Sequence, residues 1–199
     1  TFYIKKGMGL GSDTIFASKL DVYFKRKSTI NGVNVEVREV VNGYPSSYVV
    51  PFSKVQLTPS QVSTSDDASI ATTINFKAPI RLDVEKEYAF VVMPAGSDPD
   101  YLIFTSKVGG TNLVPGDNFG SGVIQDWGDG VLFTSTNGTA WYSYQDEDIK
   151  FNLYRHNFNV SAGSVTLIND DHEFLTIGST NGVFNSGEIV YKTETKDAS

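Results

Sequence analysis

Alternation of apolar and polar residues with a period of two constrains this chain more than any other feature, because successive side chains of a strand point to opposite faces. Phe16, Ser18, Leu20, Val22 and Phe24 alternate with Ala17, Lys19, Asp21, Tyr23 and Lys25. Val33, Val35 and Val37 alternate with Asn34, Glu36 and Arg38, and Ile70, Thr72, Ile74 and Phe76 with Ala71, Thr73 and Asn75. Ile149, Phe151 and Leu153 alternate with Lys150, Asn152 and Tyr154. Each run predicts a half-buried strand of an antiparallel sheet. Shorter strands are expected at 55–57, 88–93, 101–106 and 131–134, and no window carries a helical period.

Asn-Gly pairs at 31–32, 42–43, 137–138 and 181–182 fall between or beside these runs and supply the positive φ angles of two-residue hairpin turns. Most prolines sit at expected strand ends, where a missing N–H breaks no ladder. Short strands punctuated this way predict an all-β fold, an antiparallel two-sheet β-sandwich of the jelly-roll kind. At 199 residues the chain can hold one such domain, expected over 1–158, with an adequate core. Residues 159–199 are too few for a second sandwich and predict a short C-terminal β extension or the opening strands of a following module.

The absence of cysteine excludes disulfides and thiolate metal sites, and two histidines, His156 and His172, leave little for imidazole chemistry. The net charge of −7 and a pI near 4.8 argue against nucleic acid as a partner. Residues 1–40 carry seven Lys or Arg and four Asp or Glu, a balance of +3 that leaves −10 for the remainder. No run approaches the roughly 18 apolar residues of a membrane span, so no membrane partner is expected. The chain opens on Thr1 rather than Met, and a piece of a longer or processed protein is expected.

Glycines at 109, 110, 116, 120, 122, 128 and 130 predict a long irregular loop, where recognition tends to be placed on a β scaffold. Trp127, Trp141, Tyr142 and Tyr144 lie in or just after it, with Asp126 and Asp129 alongside. Flat aromatic faces that stack on sugar rings, with carboxylates for the hydroxyls, form a candidate glycan site. The competing expectation is that Trp141 packs in the core and Trp127 anchors a loop. Short acidic clusters at 66–67, 98–100, 126–129, 146–148 and 170–173 admit a structural calcium, but none has EF-hand spacing, and solvated turns explain each cluster. No metal ligand set and no cofactor are assigned. No Gly-x-Ser-x-Gly elbow and no phosphate-binding glycine loop is present, so no catalytic residue is named.

Several blocks occur in a characteristic order: Leu20-Asp-Val-Tyr-Phe-Lys, Val35-Glu-Val-Arg, Val41-Asn-Gly-Tyr-Pro-Ser-Ser, Asp67-Ala-Ser-Ile-Ala-Thr-Thr-Ile-Asn-Phe, Glu87-Tyr-Ala-Phe-Val-Val, Leu132-Phe-Thr-Ser-Thr-Asn-Gly-Thr-Ala-Trp and Glu147-Asp-Ile-Lys-Phe-Asn-Leu-Tyr-Arg. Over residues 12–158 the set resembles a domain of large structural proteins of contractile-tailed bacteriophages, notably baseplate wedge proteins of the T-even-like group. The resemblance implies a β-sandwich shaped like a carbohydrate-binding module within a virion tail protein, assembled in the bacterial cytoplasm with other tail and baseplate proteins as partners. It carries no catalytic motif. The expected function is a non-enzymatic spacer and docking domain; the alternative is a module that binds a cell-surface glycan through loop aromatics.

Overall fold

The computed structural model describes residues 1–7, 13–96, 98–112, 120, 122, 130–158, 167–168 and 174–175. The chain is all-β: its strands pair antiparallel, and the only helix among the described residues is one 3₁₀ turn, Pro59–Gln61. It divides into two units, Thr1–Phe158 and Asn159–Ser199.

The first unit is consistent with a sandwich of two main sheets. One contains β1 (Phe2–Ile4), β4 (Val33–Val41), β5 (Tyr44–Val49), β6 (Val55–Leu57) and β8 (Lys86–Pro94), in the order β1-β8-β4-β5 with β6 also on β4. The other contains β2 (Thr14–Val22), β7 (Thr72–Asp83) and β14 (Phe151–Arg155), in the order β14-β2-β7. Three two-stranded ribbons complete the described part of the unit. They pair β3 (Phe24–Arg26) with β9 (Leu102–Ile103), β10 (Thr105–Lys107) with β13 (Glu147–Ile149), and β11 (Leu132–Thr134) with β12 (Tyr142–Tyr144). In the second unit β15 (Leu167–Ile168) pairs with β16 (Phe174–Leu175).

The core follows from the alternation. Val33, Val35 and Val37 of β4 and Tyr88 and Phe90 of β8 meet Leu20, Val22, Ile74, Ile80 and Leu82 from the three-stranded sheet. Phe151 bridges the layers, its ring 4.8 Å from Phe90 and 5.9 Å from Phe2. Aromatic pairs at such distances add about 0.5–1.5 kcal/mol beyond their burial.

Two expectations need correction. The register between β2 and β7 shifts between Ala17 and Lys19, so Ile15 and Ala17 share the buried face with Leu20 and Val22. A bulge reverses the facing of everything before it. Phe16 therefore points outward, where its ring meets Phe158 at 5.4 Å. The Asn31-Gly32 pair joins no hairpin either, because β3 pairs with β9 and β4 with β8, β5 and β6. Gly32 is needed for close approach instead: a Cβ there would lie 2.3 Å from the Leu57 carbonyl oxygen. Asn42 and Gly43, at φ 52° and 79°, do form the tight turn between β4 and β5, and Gly138 has a φ of 72° in the loop joining β11 to β12. The pair at 181–182 lies outside the described residues.

Candidate functional site

Strand β8 is buried on both faces. Tyr88 and Phe90 enter the core, yet Ala89 and Val91, which alternation sends the other way, are also buried. Segment 131–141 covers them: Gly138 sits over Met93, a Cβ at Gly138 falling 3.7 Å from the methionine sulfur. The cover holds its own shape. Ser135 Oγ accepts from the N–H groups of Asn137 and Gly138, and Asn137 Oδ1 accepts from those of Thr139 and Ala140. Side chains of this kind substitute for backbone partners in turns.

The cover is fastened by an ion pair on the outer face of β4. Glu36, its side chain 3% exposed, pairs with Arg38, 12% exposed, at 2.6 Å. Arg38 also donates to the Gly138 carbonyl at 2.8 Å and lies 5.9 Å from the Trp141 ring centre. The Glu-x-Arg spacing puts both side chains on one face of the strand, and that spacing is the signal by which the pair is legible in sequence.

Between cover and sheet lies a cavity of about 560 Å³. Val91, Met93, Phe133 and Trp141 supply its apolar walls, and Ser135, Asn137 and Asp148 its polar points. Burial pushes the Asp148 carboxyl above its ordinary value, against the opposing effect of the Ile149 N–H. The Trp141 indole nitrogen is buried and is the one such side-chain atom without a hydrogen bond among the described residues.

Of the residues expected to form a glycan site, Trp141, Tyr142 and Tyr144 are described. Trp141 turns toward Arg38 and the cavity. Tyr142 and Tyr144, 66% and 44% exposed, share one face of β12, which begins just after Trp141. Trp127, Asp126 and Asp129 lie outside the described residues. Sequence reading also missed Tyr44, which is exposed and stands edge-on to Phe133 at 5.7 Å.

The described acidic clusters are occupied by loop architecture. Asp98 accepts from Asn31 and from the Asp100 N–H, and hydrogen bonds from Ser28 and Asn31 hold its carboxyl below the ordinary range. Asp67 accepts from the Ser69 N–H, and Asp146 and Glu147 share Lys107 at 3.0 and 3.3 Å. Among the described residues no three His, Asp or Glu side chains are grouped to hold a metal. His156 is exposed and stacks on Phe158 at 5.5 Å, while His172 lies outside the described residues.

Comparison with protein-family models, curated proteins and solved structures returns no significant match. No helix among the described residues is long and apolar enough to cross a membrane.

Proposed function

We propose that this chain is a non-enzymatic spacer and docking domain of a phage tail baseplate, its partners being neighbouring tail proteins. The observation that carries the reading is strand β5. It ends the five-stranded sheet, with no strand beyond it among the described residues. Tyr44, Tyr48 and Val49 on it are 52%, 68% and 39% exposed. An end strand offers backbone N–H and C=O groups to another chain, here those not already taken by Ser46 Oγ, which accepts from the Tyr48 N–H, or by Arg38, which donates to the Ser46 carbonyl, and exposed tyrosines suit the centre of a protein interface. The sandwich behind it, filled across both layers, supplies a stiff support. The resemblance to baseplate wedge domains supplies the kind of partner and a virion location. Co-sedimentation with purified contractile-tail baseplates tests the reading: the wild-type chain should pellet with them and Tyr48→Asp should remain in the supernatant with unchanged melting. Equal pelleting of the two, or none by either, would sink it.

A second reading, glycan binding through the loop aromatics, is favoured by the exposure of Tyr142 and Tyr144 on one face of β12. It predicts that a glycan array retains the chain and that Tyr142→Ala with Tyr144→Ala abolishes the retention.

A further inference from the structure

The outer face of the three-stranded sheet carries an organisation that neither docking through β5 nor the loop aromatics requires. Register aligns Asn152, Asp21 and Thr73 in one row across the strands, and Tyr154, Lys19 and Asn75 in the next. The Asp21 carboxylate is satisfied by two hydroxyls, Thr73 at 2.6 Å and Tyr154 at 3.0 Å, rather than by an ammonium. Lys19 instead sits over the Tyr154 ring, 4.3 Å from its centre, and Lys150 over the Tyr23 ring at 4.2 Å. Such contacts hold a cation in place without neutralising it.

The charge of this face runs against that of the molecule. Lys19, Lys77 and Lys150 stand in no ion pair among the described residues, whereas Asp83 is paired with both Arg81 and Lys86. Asp67 is the further carboxylate that acts on Lys150. A chain of net charge −7 thus presents Lys19 and Lys77 on this sheet without a carboxylate in ion-pair reach among the described residues, the buried Asp21 being bonded to hydroxyls; Lys150, just before β14, donates to the Ala68 carbonyl at 2.8 Å. Between them are exposed amides and a hydroxyl, from Asn75, Asn152 and Thr73, and the half-open ring of Tyr154. Protein interfaces are depleted in lysine, and the apolar pair of this face, Phe16 against Phe158, lies at one end of it. Planar amides, hydroxyls and an aromatic edge suit a polyhydroxylated chain, and the ammonium groups suit one bearing carboxylates.

We infer that the outer face of the β14-β2-β7 sheet binds an acidic polysaccharide, its carboxylates meeting Lys19 and Lys77 and its hydroxyls meeting Asn75, Asn152 and Tyr154. Sheet geometry makes the platform about 10 Å wide and roughly 20 Å long from Phe16 to Tyr23, enough for an extended chain along β2. Native gel retardation of the full chain with polygalacturonate, neutral dextran and polyglutamate tests this at low salt. Polygalacturonate should retard the chain and dextran should not. Lys19→Ala with Lys77→Ala should weaken the apparent affinity about tenfold, equivalent to about 1.4 kcal/mol, at unchanged melting temperature. Tyr48→Asp and the Tyr142→Ala, Tyr144→Ala pair should bind like wild type, which separates this surface from the other two. Polyglutamate bound as tightly as polygalacturonate would reassign the face to an acidic protein and overturn the inference. Equal retardation by dextran, no retardation by polygalacturonate, or an unaffected double lysine variant would overturn it as well.

Discussion

Replacing Arg38 with alanine strips a buried carboxylate of its cation and unfastens the cover over the cavity in one step. Glu36 is left with a side chain 3% exposed and without the guanidinium now 2.6 Å away. Removing one partner of a buried pair costs about 3–5 kcal/mol, because the remaining charge stays out of water without compensation. The 2.8 Å donation to the Gly138 carbonyl is lost as well. A hydrogen bond from a charged donor contributes about 1.5–3 kcal/mol, but the two losses share one group and do not add in full. The expected destabilisation is therefore about 4 kcal/mol, or roughly 8–16 °C in melting temperature for a domain of this size. Urea unfolding followed by tryptophan emission in a Trp127→Phe background reports on Trp141 directly. Glu36→Leu with Arg38→Met removes both charges together and should return stability to within about 2 kcal/mol of the parent, since apolar replacements of buried pairs are often neutral. A loss under about 1 kcal/mol for Arg38→Ala, or a double variant as unstable as the single, would refute the buried-pair reasoning.

Other perturbations have equally definite outcomes. Phe90→Ala should cost about 3–5 kcal/mol in chemical denaturation, because its ring contacts Phe2 and Phe151 at the junction of the layers. Gly32→Ala should destabilise by roughly 1–3 kcal/mol, since its Cβ would meet the backbone of Leu57 rather than a movable side chain. Hydrogen bonds from Lys86 hold Asp83, and those from Ser28 and Asn31 hold Asp98, below the ordinary carboxylate value of 3.8. A carboxyl depressed by folding adds stability above its unfolded value and loses it as pH falls through its folded value. Thermal melts should therefore weaken below about pH 4, and Asp83→Asn with Asp98→Asn should make that acid limb shallower.

The fold was legible where alternation runs unbroken. Val33, Val35 and Val37 face the core as their spacing requires, and Asn42-Gly43 makes the turn its chemistry favours. It was illegible where one extra residue changes the facing. The shift between Ala17 and Lys19 sends Phe16 outward, and period-two reading has no means of registering a bulge. Asn31-Gly32 carries the signal of a turn but answers to the Leu57 backbone, a contact set by tertiary packing. At the site, composition picked out Trp141, Tyr142 and Tyr144 as a group, while the tryptophan turns toward Arg38 and the two tyrosines stay exposed, a difference set by tertiary packing. The row joining Asp21, Thr73 and Asn152 was beyond reach for a different reason: strands distant in sequence must be paired before their outward residues become neighbours.

Backbone hydrogen exchange of the chain, free and bound to purified tail baseplates, tests the docking role most directly. Docking through β5 predicts new protection at the amides of residues 44–49 on binding, apart from Pro45, which has none, with the β14-β2-β7 sheet unchanged. Unaltered exchange at 44–49 in a chain that is nevertheless bound would contradict it.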